Sequence, residues 1–157
     1  MSRHPRIATF MTRAPVCADP YELLIEARDR MAAHHIRHLP VVDEGKVVGV
    51  LSARDADTMI RCLHAATIRT TVADAMEPDV FTVPRTALVE RVAEEMASRR
   101  YGCSVVIDSG GAACGVFTCV DALHALSQLL GRRRTQRLRP AAKATQTARS
   151  RRRLPRS

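Results

Sequence analysis

Two short segments of the chain place a hydroxyl and a carboxylate three residues apart, directly after a glycine and two apolar residues. Both follow the pattern Gly-x-x-(Ser/Thr)-x-x-Asp, and the first begins at Gly49 while the second begins at Gly115, 66 residues later. An ionised carboxylate only accepts hydrogen bonds, so it can hold the two hydroxyl groups of a ribose. The hydroxyl and acid residues are Ser52 with Asp55 and Thr118 with Asp121.

The same residues predict how the chain folds around them. The apolar pair after each glycine is typical of a strand, and the hydroxyl and acid that follow are typical of the first turn of a helix. The pattern therefore predicts a strand-to-helix corner, where the N-terminus of a helix could face a phosphate. These residues also fit a simple helix cap, and a capping carboxylate that projects outward could still bind ligand hydroxyls.

The repeat extends beyond these two corners. Each half begins with a leading segment that contains Met followed by a polar residue, in residues 7–12 and 71–77. A short β run and a helix follow, then two short apolar runs joined by a glycine-containing turn, and then a second helix. Each half thus reads β-α-β-β-α in about 60 residues, which is too short to bury its own sheet.

This arrangement resembles a tandem pair of cystathionine-β-synthase (CBS) domains, a regulatory module that commonly binds adenosine nucleotides. The resemblance implies an α+β fold in which two β-α-β-β-α repeats pack with pseudo-twofold symmetry, and it implies a homodimer. It places the first CBS domain at residues 7–64 and the second at 71–130. Residues 131–157 form an Arg-rich tail whose composition predicts disorder.

The four helices of the repeats are each expected to bury one face, and the two sheets are expected to share one core. Asp19 is expected to cap the first helix, with Pro20 as its first residue. The apolar residues expected on the buried faces are Leu24, Ala27, Met31, Ala56, Met59, Ile60, Leu63, Val89, Val92, Met96, Ala122, Ala125, Leu126 and Leu129.

The resemblance also assigns ligand-binding positions. The positions that hold the ribose in the family are Ser52, Asp55, Thr118 and Asp121 here. The positions that contact the adenine are Ile36, Arg37 and His38 in the first half and Tyr101, Gly102 and Cys103 in the second. Tyr101 could stack on a base. The alternative is that Ile36 and Tyr101 belong to the core and that Arg37 is solvated.

Phosphate binding is expected to differ between the corners. The first carries Arg54 next to its acid, and a guanidinium is a preferred partner of a phosphate. The second has Val120 at this position, which leaves Arg99 or Arg100 as the nearby cations. We therefore expect the first corner to be the better site for AMP, ADP or ATP. The acids with which Arg54 could pair instead are Asp57 and Glu44.

Other classes of protein fit the sequence less well. No apolar run approaches the ~18 residues of a membrane helix, and residues 1–15 do not resemble a secretory signal, so we expect a cytoplasmic protein without membrane association. No P-loop, catalytic triad or pair of catalytic carboxylates is recognisable, so we expect neither an enzyme nor a cofactor. The histidines and the five cysteines lack the spacing of a metal site, and we expect the cysteines to be buried.

The basic charge of the chain is concentrated in its tail. Residues 131–157 hold 11 of the 25 Lys and Arg residues and no acid, so the first 130 residues hold 14 basic and 16 acidic residues. The leading hypothesis is a stand-alone regulatory CBS pair that binds an adenosine nucleotide and signals to a partner. One alternative is a CBS scaffold dimer whose tail binds nucleic acid or an acidic protein. Another is a ligand-free structural dimer.

Overall fold

The computed structural model describes residues 4–63 and 69–137, except for the side chains of Leu63 and residues 132–137. Within these ranges the chain forms the predicted α+β architecture of two repeats. The strands are β1 (Thr12–Arg13), β2 (His38–Asp43), β3 (Lys46–Ser52), β4 (Thr82–Pro84), β5 (Cys103–Ile107) and β6 (Ala113–Thr118). The helices are α1 (Leu24–Ala33), α2 (Ala53–Leu63), α3 (Val89–Arg99) and α4 (Cys119–Arg137), with short 3-10 turns at Ile7–Thr9 and Val72–Asp74.

An antiparallel hairpin forms the centre of each half, as predicted. In the first hairpin, Glu44 and Gly45 have φ of 46° and 79°, and a two-residue turn with both φ values positive suits the twist of the strands. The register places Ser52 opposite His38 in the first half. In the second half, the register places Thr118 opposite Cys103. Each motif hydroxyl therefore lies beside a position assigned to the base.

The leading segment of each half completes the sheet of the other half. Strand β1 pairs antiparallel with β6, and Thr12 lies opposite Val116. In the reciprocal exchange, Glu77 forms an antiparallel bridge with Val50 in β3. The remaining neighbours in the larger sheet are β6 with β5 and β5 with β4, in the order β1-β6-β5-β4. The two repeats are therefore tied together by backbone pairing as well as by side chains.

The glycine of each motif permits this exchange. An ideal Cβ atom built on Gly115 would lie 2.5 Å from Sδ of Met11, and one built on Gly49 would collide with Sδ of Met76. Only a residue without a side chain leaves room for a methionine to cross the strand at this distance. The glycine that begins each motif thus has a packing role that the motif pattern alone does not reveal.

The buried apolar residues form two clusters instead of the one shared core that we expected. One cluster combines residues of β4, α3, β5, β6 and α4 with Ile7 and Met11 of the first leading segment. The other combines residues of α1, β2, β3 and α2 with Val72 of the second leading segment. The expectation was wrong because the exchanged segments close each half separately. Each half nevertheless depends on the other for part of its core.

Helix α1 begins later than predicted. Asp19 accepts a hydrogen bond from the backbone N–H of Tyr21 at 2.7 Å within a turn, and the helix begins only at Leu24, so the prediction that Asp19 caps the helix was wrong. The residue before the helix, Leu23, forms a bridge with Thr71, which holds this segment extended. The buried faces of α1 and α3 agree with the prediction and consist of Leu24, Ala27, Met31, Val89, Val92 and Met96.

Helix α4 departs from the prediction at one apolar position and at its end. Ala125 is buried, but Leu126 is 52% exposed because consecutive helical residues point about 100° apart. The helix continues to Arg137, into the segment for which we predicted a disordered tail. Residues 138–157, the rest of that tail, lie outside the described residues. Among the helices that the structure describes, none is both long enough and apolar enough to cross a membrane.

Candidate functional site

A cleft of about 1190 Å³ lies between the two halves and is lined by residues of both. All eleven residues assigned to ligand binding line this cleft. They are Ile36, Arg37, His38, Ser52, Arg54, Asp55, Tyr101, Gly102, Cys103, Thr118 and Asp121. The two strand-to-helix corners, which are distant in sequence, therefore open into the same space.

The first corner holds its carboxylate in place and leaves part of it available. The Ser52 hydroxyl donates a hydrogen bond to Oδ2 of Asp55 at 2.5 Å and accepts one from the Asp55 backbone N–H at 3.1 Å. Asp55 thus takes part in the cap of α2, as the alternative interpretation predicted. Its side chain is exposed, and its Oδ1 accepts no hydrogen bond from any described residue. That oxygen can accept ligand hydroxyls.

The second corner is more tightly hydrogen-bonded. The backbone N–H and the hydroxyl of Thr118 each donate a hydrogen bond to Oδ2 of Asp121 at 2.8 Å. The Asp121 backbone N–H donates in turn to the Thr118 hydroxyl at 3.3 Å, which completes a capping box. Here too, within the part of the chain that the structure describes, Oδ1 of the acid has no donor. Both corners therefore cap a helix and present one carboxylate oxygen.

Arg54 is exposed at the first corner and forms no ion pair with a described residue. The acid expected to compete for it, Asp57, binds Arg28 instead through two hydrogen bonds of 2.6 and 3.2 Å. Glu44 lies in the hairpin turn and makes no ion pair in the described ranges either. The guanidinium of Arg54 therefore remains available to an anion in the cleft.

The cations near the second corner are placed differently. Arg99 forms an ion pair with Glu95, with 2.5 Å between Nε and Oε1, and does not line the cleft. Arg100 does line the cleft, from the end of α3, where its φ is 60°. Of the two arginines that the sequence offered near this corner, the structure brings only Arg100 to the cleft.

His38 connects the two halves within the cleft. An ideal Cβ atom built on Gly102 would lie 2.9 Å from Nε2 of His38, so the imidazole packs against the second half where a side chain would not fit. Burial lowers the pKa of His38, the positive charge of Arg37 lowers it further, and the carboxylate of Asp55 partly opposes them. The imidazole is therefore held neutral.

We expect the free energy of unfolding to fall as the pH falls below about 6.5, the ordinary pKa of histidine. In this range the unfolded chain takes up a proton at His38 that the folded chain does not bind. The contribution of neutral His38 to the free energy of unfolding is therefore complete above this pH and is lost as the pH falls below it. Urea unfolding between about pH 7.5 and about pH 5.5 would measure the effect, which His38→Gln is expected to reduce. The matched variant His34→Gln, at an exposed position, is expected to keep the wild-type pH dependence; an equal loss in both variants would contradict the assignment.

The base-binding side of the cleft contains residues that the sequence did not reveal. Ile36 and Tyr101 are half-buried and line the cleft, so they are neither fully core residues nor fully exposed. The Tyr101 ring stacks on Phe81, with 5.4 Å between ring centroids and 18° between planes. Phe81 and its repeat counterpart Val16 follow the leading segments and line the cleft. Val16 and Phe81 lie 65 residues apart, at equivalent positions of the repeat, and this spacing could have identified them from the sequence.

The cysteines do not all behave as predicted. Cys103 is buried, and burial together with the nearby Cys119 thiol raises the pKa of Cys103 to about 12, so this thiol stays neutral. Cys119 and Cys62 are exposed, so the prediction that all cysteines are buried was wrong. Cys119 is the first residue of α4, where its sulfur approaches the Tyr101 carbonyl oxygen at 3.6 Å on the cleft side of the helix.

The two halves match a known family separately. The family model of the CBS domain matches residues 7–60 and again residues 72–128. The chain belongs to the CBS domain family. Since the two matches are consecutive, the described part of the protein is a CBS pair, and its cleft is the space between two CBS domains.

Solved CBS pairs share this architecture over their whole length. The Vibrio cholerae protein AcuB, which is named for acetoin utilization, is 27% identical with a TM-score of 0.74, and the match covers 84% of this chain and 97% of AcuB. The CBS domain pair of protein MJ0100, solved in complex with 5′-methylthioadenosine and S-adenosyl-L-methionine, is 26% identical with a TM-score of 0.68. That match covers 81% of this chain and all of the other.

Curated relatives extend well beyond the CBS pair. Inosine-5′-monophosphate dehydrogenase of Thermoplasma acidophilum is 28% identical over 121 residues, which is 77% of this chain but 24% of that enzyme. The chain spans less than half the length of the first curated relatives it matches. The likeness to the dehydrogenase is therefore a likeness in its CBS region.

Proposed function

We propose that this CBS pair is a regulatory module without catalytic activity that binds an adenosine nucleotide and signals to a partner. The nucleotide binds at the first corner of the cleft. Its ribose hydroxyls donate to Oδ1 of Asp55, its phosphate lies near Arg54, and its base packs against Ile36. AMP, ADP and ATP all carry these three groups. The homodimer that the family resemblance implies stays a prediction.

One observation carries this proposal: the carboxylate of Asp55 is fixed by the cap yet keeps an oxygen without a donor, beside a guanidinium without an ion pair in the described structure. A carboxylate that must hold a ribose benefits from being oriented in advance, because less freedom is lost on binding. An available guanidinium next to it supplies the charge-assisted hydrogen bonds that a phosphate prefers. A nucleotide, which carries both a ribose and a phosphate, fits these features better than a ligand that lacks a ribose or a phosphate.

The related CBS pair of MJ0100 supports the choice of an adenosine compound, because both of its ligands contain adenosine. In this chain, the residue that distinguishes among adenosine compounds is Arg54. Arg54 is next to the ribose-binding acid, which favours a phosphate at the 5′ position over the sulfonium group of S-adenosylmethionine.

Signalling requires that the ligand bind one arrangement of the halves more tightly than another. The cleft is lined by both halves, and His38 of the first half packs against Gly102 of the second. A nucleotide held at Asp55 thus lies close to a contact between the halves, since the charge of Asp55 acts on His38. We propose that occupation of the first corner shifts the relative positions of the halves, which a partner then recognises.

Calorimetric titration with AMP, ADP, ATP and S-adenosylmethionine tests the proposal. We expect saturable binding of at least one phosphate-bearing nucleotide, and we expect Asp55→Ala to weaken it at least about tenfold because a charged acceptor is lost. Asp57→Ala is the matched control: it removes the same charge from the same helix, but Asp57 binds Arg28 away from the cleft. Equal binding by Asp55→Ala and the wild type, or no binding of any phosphate-bearing nucleotide, would contradict the proposal.

A further inference from the structure

The two ends of the cleft are related by the repeat but differ in charge. We call the part around Ser52 and Asp55 the first end, and the part around Thr118 and Asp121 the second end. At two equivalent positions that line the cleft, the first end has an arginine and the second has an uncharged residue. These pairs are Arg37 with Gly102 and Arg54 with Val120.

Val120 lies where a bound phosphate would need a cation. It is the second residue of α4, directly before Asp121, and it is 52% exposed in the cleft wall. By the repeat it takes the place of Arg54. An apolar side chain donates no hydrogen bond, so a phosphate there would lack the guanidinium partner that Arg54 offers at the first end.

The other charged groups do not restore a phosphate site at the second end. Arg99 is occupied by Glu95 and lies outside the cleft lining. Arg100 lines the cleft from the end of α3, and not from the helix that carries Asp121, so it does not take the position that Arg54 has next to Asp55.

The second end instead offers a larger aromatic surface. Phe81 and Tyr101 stack on each other where the first half has Val16 and Ile36. Aromatic rings favour offset stacking with another flat ring, so this wall can support a purine without any charged group. The buried Cys103, which replaces His38, is neutral and adds to the apolar character.

We infer that the second end binds an uncharged purine nucleoside, including one with a small apolar 5′ substituent, in preference to a nucleoside phosphate. The ribose hydroxyls donate to Oδ1 of Asp121, the base packs against Tyr101, and the 5′ group contacts Val120. This inference rests on the proposed function, since both ends hold the ribose through the same motif. It assigns the two ends to different ligand classes, so one CBS pair responds to two metabolite signals.

Titration of the full chain with 5′-methylthioadenosine and with AMP tests this assignment. We expect one molecule of each to bind per chain, and we expect saturating AMP to leave 5′-methylthioadenosine binding in place. Asp121→Ala is expected to weaken 5′-methylthioadenosine at least about tenfold while AMP binding stays within about twofold. Asp55→Ala is expected to give the reverse pattern.

An exchange of the distinguishing residues provides a test that does not remove a helix cap. Val120→Arg changes an exposed position, so the fold is retained, and we expect it to create a second AMP site per chain and to weaken 5′-methylthioadenosine. Arg54→Val is its counterpart at the first end, and we expect it to weaken AMP about tenfold. Unchanged AMP stoichiometry in Val120→Arg would overturn the inference.

The two proposals fail in distinguishable ways. If Asp55→Ala leaves AMP binding intact, the proposed function is wrong. If Asp55→Ala abolishes AMP binding but Asp121→Ala leaves 5′-methylthioadenosine binding intact, only the assignment of the second end is wrong. Competition between AMP and 5′-methylthioadenosine for one site in the wild type would likewise overturn that assignment and leave the nucleotide site standing.

Discussion

Met11→Ala is expected to lower the free energy of unfolding by about 3 kcal/mol, although Met11 belongs to the first half and packs in the core of the second. Gly115→Ala is expected to cost about 2 kcal/mol, because its Cβ would lie 2.5 Å from Sδ of Met11 and 3.1 Å from the Thr12 carbonyl oxygen. Urea unfolding of both variants and of the double variant would measure these costs.

The double variant tests whether the contact between Met11 and Gly115 causes these losses of stability. Removing the thioether makes room for the new methyl group. The cost of the double variant is therefore expected to be smaller than the sum of the two single-variant costs by at least about 1 kcal/mol. Gly131→Ala is the matched control, because no described atom outside its chain neighbours and its own helix backbone lies within 4 Å of its ideal Cβ. Alanine also suits a helix, so no loss is expected. Additive costs for Met11 and Gly115 would show that Met11 does not cross the strand at Gly115.

Phe117→Ala is expected to lower the free energy of unfolding by about 4 kcal/mol. Phe117 has no exposed surface, and it is the largest fully buried side chain among the described residues. Its removal leaves a cavity between β6 and the helices that pack on it, because the surrounding backbone is held in a four-stranded sheet and relaxes only partly. Chemical denaturation monitored by circular dichroism would measure the loss.

Leu123→Ala provides the comparison for Phe117. It removes a large apolar side chain from α4, but that side chain is 65% exposed, so we expect a change within about 0.5 kcal/mol. A cost for Phe117→Ala below about 1 kcal/mol would mean that the buried cluster of the second half does not depend on Phe117. A large cost for Leu123→Ala would mean that this face of α4 is covered in the protein as it exists in solution.

The local elements could be predicted from the sequence because they depend on local chemistry. The turn at Glu44 and Gly45, the apolar spacing of α1 and α3 and the cap formed by Ser52 with Asp55 each follow from a few neighbouring residues. The start of α1 was mispredicted for the same reason. Asp19 is a suitable cap locally, but pairing of Leu23 with Thr71 keeps the chain extended up to Leu24.

The site was predictable to a similar extent. Because the motif repeats, the sequence could assign eleven positions to ligand binding, and the structure brings all eleven to one cleft. The residues it missed, such as Phe81 and Val16, carry no motif and reach the cleft only through the path of the leading segments. Asp57 does not pair with Arg54 because it binds Arg28, which belongs to another helix. Sequence spacing could not predict this contact between helices.

By itself, the sequence determined the number of repeats, the type and order of their elements and the residue types available at each corner, because periodicity and motif spacing are properties of the chain. Only the tertiary structure decided that the leading segments exchange between the halves and that two cores form. It also decided which charges meet in the cleft. These features depend on contacts between residues far apart in sequence, such as Met11 with Gly115 and His38 with Gly102, and no local pattern encodes such contacts.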